Sequence, residues 1–153
     1  MLRSINSNAI SAPAVAQRFE AKYLISEMMA QTIRDHIRPF VTPDAHGQDY
    51  PVTSIYLDSP NLALYMSSVR GEERRRKLRI RTYMGNNDVC FFEVKHRHNQ
   101  IVRKERSVVH NRYVSSLLRG AIPGPHMLAE PDRDMKSFYS FCSLRDSIDA
   151  TPR

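Results

Sequence analysis

The sequence has few cysteines, no tryptophan and no long apolar run. Cys90 and Cys142 are its only cysteines among 153 residues. Two cysteines so far apart make neither a disulfide framework nor a zinc site, and they suit a reducing compartment. No apolar run approaches the roughly 20 residues that a membrane-spanning helix needs. We therefore expect a cytoplasmic protein without a transmembrane segment.

The N-terminal residues lack regular periodicity. They include Arg3 but no continuous apolar stretch of the kind that a secretory signal peptide contains. Hydrophobic residues make up 41% of the whole chain, which is enough for the modest core of one domain. We expect residues 1–14 to be a disordered lead-in and residues 15–149 to form one α+β domain.

Positive charge is in excess, and it is concentrated. The chain has 23 Lys and Arg residues against 16 Asp and Glu, a net charge of +7. Segments with period-two alternation place nine cations and two carboxylates on one face, which accounts for the whole excess. These residues are Arg18, Glu20, Lys22, Lys77, Arg79, Arg81, Glu93, Lys95, Arg97, Lys104 and Arg106.

Such a face has two interpretations. One side of an antiparallel sheet is often solvated, and charges simply lie there. A solvated face normally mixes both signs, however, whereas this one is mostly Lys and Arg. The alternating apolar residues, such as Leu78 and Ile80, favour packing against helices and would leave the cations facing a groove or barrel interior. This second interpretation predicts a polyanionic ligand.

The period-two pattern predicts a single antiparallel sheet. Polar turns at 85–88 and 98–100 separate its last three segments, as in a meander. Tyr56, on the second strand, either packs in the core or lines the wall of the groove, and core packing is favoured. The expected strands are 17–25, 52–58, 76–84, 89–97 and 101–109.

Helical periodicity and capping signals predict four helices. Ser26 is a plausible cap for the first, whose apolar stripe, expected to fill the core, is Met29, Ile33 and Ile37. A serine followed by a proline predicts a short helix over 60–69, with Asp58 as a capping residue rather than a metal ligand. A third helix is expected to be capped by Asn111, and a fourth covers 132–146.

The order of five short motifs resembles the VTC domain, the polyphosphate-polymerase branch of the triphosphate tunnel, or CYTH-like, superfamily. Each motif alone has little specificity, but five in this order with strand-compatible spacing are specific. The resemblance covers about residues 17–148. The motifs are R-x-E-x-K-Y from Arg18, S-I-Y-L-D-S from Ser54, K-L-R-I-R from Lys77, F-E-V-K from Phe92 and K-E-R from Lys104.

The resemblance implies a fold and a reaction. The fold is a tunnel of about eight antiparallel strands, lined by Lys and Arg that grip a triphosphate. A divalent metal, Mn or Mg, assists. The polymerase branch transfers the γ-phosphate of ATP to a growing polyphosphate, so the implied partners are ATP and polyphosphate.

The resemblance also implies site residues, which are assigned by their positions in the motifs. The closest matches to the catalytic, phosphate-gripping positions are Lys22, Arg79, Arg81 and Lys95. Further phosphate-binding matches are Arg18, Lys77, Lys104 and Arg106. Glu20 and Glu93 are expected to orient these cations. The metal ligands are unknown.

Two departures from the family pattern bear on activity. The hydrolase and cyclase relatives usually begin with E-x-E-x-K, and Arg18 at the first position disfavours a two-metal tripolyphosphatase. The family's second run of strands, with a metal-binding glutamate, would begin near Ile148, where this sequence stops. We therefore expect about half of a tunnel barrel, with helices on its outer apolar face and open edges that favour self-association.

Three functions remain open at this point. The first is an ATP-dependent polyphosphate polymerase domain that is incomplete in this chain, and the second is a noncatalytic polyphosphate-binding remnant. The third, a nucleic-acid-binding sheet, has less support, since proteins that bind single strands interleave aromatic residues for base stacking. The charged face offers mainly Tyr83 and Phe91, so no specific nucleic acid is expected.

Overall fold

The fold combines helices with one antiparallel sheet. The computed structural model describes residues 15–42, 51–83 and 88–153, so the expected lead-in at 1–14 lies outside the described residues. The sheet order is β1-β5-β4-β3-β2-β6, and its two edge strands do not pair with each other. The strands are β1 (Val15–Phe19), β2 (Val52–Asp58), β3 (Arg74–Tyr83), β4 (Val89–His98), β5 (Ile101–His110) and β6 (Thr151–Pro152).

The central strands follow the sequence pattern closely. β2 has the predicted bounds, and β3, β4 and β5 start and end within two residues of theirs. Asn99 and Gln100 form the two-residue turn between β4 and β5, and Asn99 has a φ of 55°, a left-handed conformation that asparagine tolerates well. The turn predicted at 85–88 lies largely outside the described residues.

β1 is shorter than predicted. It was expected over 17–25 but ends at Phe19, which is opposite Ile101, the first residue of β5. One further backbone bond, from Glu20 N–H to the carbonyl of Gln100, reaches the hairpin turn. β5, the partner of β1, has its first residue at this turn, so the residues after Glu20 have no partner strand for further backbone hydrogen bonds. Lys22 consequently lies outside the strand.

The core lies between one face of the sheet and the helices. Leu78, Ile80 and Phe92 are almost fully buried and share one cluster with Leu117, Phe138, Phe141 and other apolar residues. The ring of Phe92 lies 4.6 Å from that of Phe141, centroid to centroid. Burying a side chain of this size contributes about 1.5–3 kcal/mol. Because neighbouring residues on a strand point to opposite sides, the cations between these apolar residues face away from the core.

The four helices are α1 (Glu27–Ile37), α2 (Ala63–Val69), α3 (Val114–Leu118) and α4 (Pro131–Ser147). α2 begins later than the predicted residue 60. Leu62, the residue directly before it, has a left-handed φ of 56°, which is not a helical conformation. Asp58 caps this helix, as expected, by accepting hydrogen bonds from the backbone N–H groups of Leu64 and Tyr65 at 2.9 and 2.8 Å. α4 matches its predicted bounds within one residue at each end.

Two helical expectations were wrong. Asn111 opens a 3₁₀ turn over 111–113 instead of capping α3, and Tyr113 is the residue directly before α3. The apolar stripe of α1 is exposed, with Met29 at 51% and Ile33 and Ile37 at 41% each. This helix follows the short edge strand, and the described residues bury none of its side chains. Its N-cap, Ser26, is confirmed by a hydrogen bond from the Met29 N–H.

Candidate anion-binding face

The sheet face opposite the core carries a set of charged residues that the strand register brings together. Residues directly opposite each other in an antiparallel pair lie on the same face, with neighbouring strands about 4.8 Å apart. The register aligns Arg79, Glu93 and Arg106 in one row and Lys77, Lys95 and Lys104 in the next. We define the cationic face as Lys77, Arg79, Arg81, Glu93, Lys95, Lys104 and Arg106.

Glu93 is at the centre of the cationic face and is only 1% exposed. Its carboxylate oxygens lie 2.6 Å from Arg79 Nε, 2.6 Å from Lys104 Nζ and 2.8 Å from Arg106 Nε. Burial raises the pKa of this carboxyl, but the hydrogen bond from Lys104 and the three positive charges outweigh it and lower the pKa to about 2. Glu93 is therefore ionised at neutral pH and fixes the directions of three cations.

Burial and neighbouring charges both shift the pKa values of cations that contact Glu93. Burial lowers the pKa of Lys104, and contact with Glu93 only partly opposes this change. Burial also acts to lower the pKa of Arg79, but the charge of Glu93 raises it above its usual value. Arg79 therefore stays charged at neutral pH.

The remaining cations have fewer acidic partners. Lys95 Nζ lies 3.0 Å from both carboxylate oxygens of Glu20, and Arg81 donates to the hydroxyl of Ser54 at 3.1 Å. Lys77 is exposed, and it forms no ion pair with the described residues. Two carboxylates thus oppose the six cations of the face, so the surface has an excess of positive charge that suits an anion with several charges.

A family model for the VTC domain matches residues 17–149. The chain belongs to the VTC domain family. The match extends from β1 to the end of α4 and includes every residue of the cationic face. Family membership points to a polyphosphate-related function. A search of the curated proteins finds no match.

This VTC domain brings most of its predicted site residues together. Arg79, Arg81 and Lys95 lie on the cationic face with Lys77, Lys104 and Arg106. By strand register Arg18 is opposite Val102. Lys22 is the exception, being exposed in the irregular segment after β1. Arg97 follows Lys95 by two residues on β4 and so lies on the same side of the sheet, where it donates to the carbonyl of Asn99 in the hairpin turn.

The sequence analysis placed Tyr83 on the charged face but favoured the core for Tyr56. Tyr56 is 42% exposed, not packed in the core, because it is opposite Arg79 in the sheet and Arg79 Nη1 donates to its hydroxyl at 3.4 Å. That hydrogen bond lowers the pKa of Tyr56. Arg106 lies 4.7 Å above the ring of Phe91 and donates to the Tyr83 hydroxyl at 3.4 Å. The alternation around Tyr56 was the available signal, since its neighbours Ile55 and Leu57 point to the side of the sheet that carries the core.

The described residues do not fit the divalent metal that the family implies. They include no group of three or more His, Cys, Asp or Glu side chains that could hold a metal ion. The charged partners of Glu93 and Glu20 are cations, and Asp58 caps α2. We therefore assign no metal ligand in the described ranges.

In the same ranges, no helix has the length and apolar character to span a membrane.

Proposed function

We propose that the cationic face of this VTC domain binds a linear phosphate chain, either polyphosphate or the triphosphate of ATP. The observation that carries the proposal is a face of six cations, three of which contact the buried, ionised Glu93. Neighbouring strands lie about 4.8 Å apart, so a phosphate chain that crosses them meets cations from β3, β4 and β5 in turn. An arginine guanidinium can bind two phosphate oxygens, and a lysine acts as a point charge.

The proposed reaction class is that of a polyphosphate polymerase, in which a terminal phosphoryl group moves from ATP to the end of a polyphosphate. Phosphoryl transfer depends mainly on positioning and on stabilising negative charge. Arg79, Arg81 and Lys95 would hold the phosphates in line, while Glu93 keeps Arg79 oriented before the ligand arrives. Because no metal ligand is assigned, we derive no step through a metal.

Noncatalytic polyphosphate binding is the second candidate. It is favoured by the open sheet, since β1 and β6 do not pair with each other in the described part of the chain. A face that is open on one side can bind a phosphate chain, but it does not surround donor and acceptor together. Closing it into the tunnel that the family resemblance implies requires a second wall.

Competition between ligands tests the proposed binding. A labelled polyphosphate bound to the chain at fixed salt is challenged with tripolyphosphate or with single-stranded DNA of equal total charge. We expect tripolyphosphate to displace the label at a concentration at least tenfold lower, because its charges are close together, like the cations of the face, and base stacking adds little here. Equal displacement by DNA would contradict a phosphate-chain site and leave only a general polyanion surface.

Polymer formation separates the two candidates. Purified chain is incubated with ATP and Mn²⁺ or Mg²⁺, beside a VTC polymerase with a complete tunnel as the positive control. We expect no detectable polymer from this chain by itself, because transfer needs donor and acceptor held together on more than one open face, and the proposed reaction therefore requires the second wall. Robust synthesis would contradict the noncatalytic candidate and would mean that a second wall is supplied, for instance by another copy.

A further inference from the structure

A second group of basic residues lies on the sheet face opposite the cationic face. Because side chains alternate along each strand, the register places Arg76, His96 and Arg103 in one row across β3, β4 and β5. Arg74 and His98 form the next row toward the strand ends. The core occupies the same side of the sheet farther along these strands. We define the basic patch as Arg74, Arg76, His96, His98 and Arg103.

The basic patch is open to solvent and has an excess of positive charge. Arg74, Arg76 and His98 are exposed, and the side chain of Arg103 is 50% exposed. The buried carboxylate of Glu105 lies 2.8 Å from Arg103. Three arginines against this one carboxylate leave the patch positive even when both of its histidines are neutral. An exposed excess of this kind suits an anion.

His96 lies between two positive charges and beside one negative charge. Burial lowers the pKa of His96, and the charges of Arg103 and Arg76 lower it further, whereas the charge of Glu105 opposes them. The Nε2 atom of His96 is buried and has no hydrogen-bond partner among the described residues, although Glu105 Oε1 is 3.3 Å away. A buried polar atom without a partner costs free energy. A protonated His96 that donates to Glu105 would remove this cost.

We propose that the basic patch is a second anion-binding site, which takes a compact dianion such as a phosphate group. Arg76 and Arg103 flank His96 from strands that are about 10 Å apart, a gap that two long side chains can close around one tetrahedral group. Each guanidinium can donate two hydrogen bonds to the oxygens of a phosphate. The phosphate group is that of the inorganic ion or of a monoester.

Binding at this site is coupled to the uptake of a proton. An anion offsets the charges of Arg76 and Arg103, which raises the pKa of His96. Protonated His96 then takes the place of Arg103 as the partner of Glu105, and Arg103 is released to the anion. The anion therefore binds more tightly as the pH falls. The site does not depend on the function proposed above, because the two sets of cations lie on opposite sides of the sheet.

Sulfate is the sharpest probe of this coupling, because it remains a dianion between pH 8 and pH 6, so that any pH dependence comes from the protein. The histidine ring signals of the 153-residue chain are followed by NMR during titration with sulfate at constant ionic strength. His96→Gln and His98→Gln variants assign the two ring signals of the patch. We expect sulfate to raise the pKa of His96 and to bind at least about threefold more tightly at pH 6 than at pH 8.

Arg76→Gln tests whether the position of the charge matters. Arg76 is exposed, so the substitution should leave the fold intact. We expect it to weaken sulfate binding about fivefold, as for the loss of one exposed charge contact. Arg119→Gln is the matched control, since Arg119 is an exposed arginine at the end of α3, and it should leave the affinity unchanged. Equal losses in the two variants, or a pKa of His96 that sulfate does not move, would overturn the proposal.

Arg79→Ala separates the two sites. It removes a cation of the cationic face, so the response of His96 to sulfate should persist. Loss of that response would mean that the anion acts from the cationic face, and would overturn the second site without affecting the proposed function. Inorganic phosphate and methyl phosphate then distinguish the sources of the ligand. Tighter binding of methyl phosphate supports a monoester, equal binding supports the free ion, and binding of neither overturns the assignment to phosphate.

Discussion

Glu93 receives contacts from Arg79, Lys104 and Arg106 while it is almost inaccessible to solvent. It occupies only part of the donor capacity of the two arginines, each of which carries five N–H groups. Arg79 uses Nε for Glu93 and Nη1 for Tyr56, and no described residue accepts from its second terminal nitrogen, which is therefore available to an anion. One carboxylate thus fixes three cations and still leaves them able to bind phosphate.

The low pKa of Glu93 makes folding sensitive to acid. Its pKa in the folded protein is about 2, below the ordinary value of 4.5. The resulting stabilisation, about 3 kcal/mol, is present above pH 4.5 and is lost as the pH falls toward 2. Glu93→Gln should therefore lower the free energy of unfolding at pH 7 and reduce its loss between pH 5 and pH 3. Urea denaturation at these pH values measures both effects.

Glu72→Gln is the control for this experiment, because Glu72 is half exposed and lies 3.9 Å from its arginine neighbour. Exposed pairs of this kind contribute little, so its pH dependence should match that of the parent. If Glu93→Gln also matched the parent, the carboxylate would not be the acid-sensitive group.

The sequence allows the charged residues to be assigned to one face, but not their pairing. Alternation alone puts Arg79, Glu93 and Arg106 on the same side of the sheet. Which of them touch depends on the register between strands, which the pattern does not specify. Arg145 illustrates the same limit, because it resembles a solvated charge in the sequence. In the structure it is 7% exposed and donates to the carbonyl of Leu117 at 2.5 Å.

Secondary structure elements that are stabilised by long regular neighbours were predictable. β3, β4 and β5 each span ten residues and pair along nearly their whole length, so their own alternation determines them. β1 and α1 were less predictable, because their limits depend on the elements around them. β1 ends where the β4–β5 hairpin turns, and the apolar periodicity of α1 does not say whether a partner covers it.

Substitutions in two helices separate the buried core from the exposed stripe. Ile33→Gln on α1 should change the free energy of unfolding by less than about 0.5 kcal/mol, because Ile33 is 41% exposed. Phe138→Ala on α4 should cost about 3–5 kcal/mol, because Phe138 is fully buried against Phe92. Chemical denaturation of both variants checks this contrast. A large loss in Ile33→Gln would show that α1 is covered in solution.

The whole sheet is open at its edges in the described part of the chain. β6 pairs only with Leu57 and Asp58, which leaves the outer side of most of β2 without a strand partner among the described residues. Unpaired edges favour association between copies. We therefore expect the chain to self-associate at micromolar concentrations.

A charge on this edge tests the expectation. Ile55→Lys places a lysine on β2, where Ile55 is 41% exposed, and should shift the chain toward smaller species in sedimentation velocity. Ile122→Lys adds the same charge in a loop, at a residue that is 87% exposed, and should leave the distribution unchanged. Equal effects of the two substitutions would point to net charge rather than the β2 edge.

The central claim is that phosphate binding depends on the positions of the cations and not on the total charge. Calorimetric titration of tripolyphosphate at fixed salt, comparing Arg79→Ala with Arg119→Ala, tests it most directly. Both variants lose one positive charge, but Arg79 belongs to the cationic face and Arg119 is exposed at the end of α3. Arg79→Ala should cost about 1.5–3 kcal/mol of binding free energy, and Arg119→Ala close to none. Equal losses in the two variants would contradict the claim.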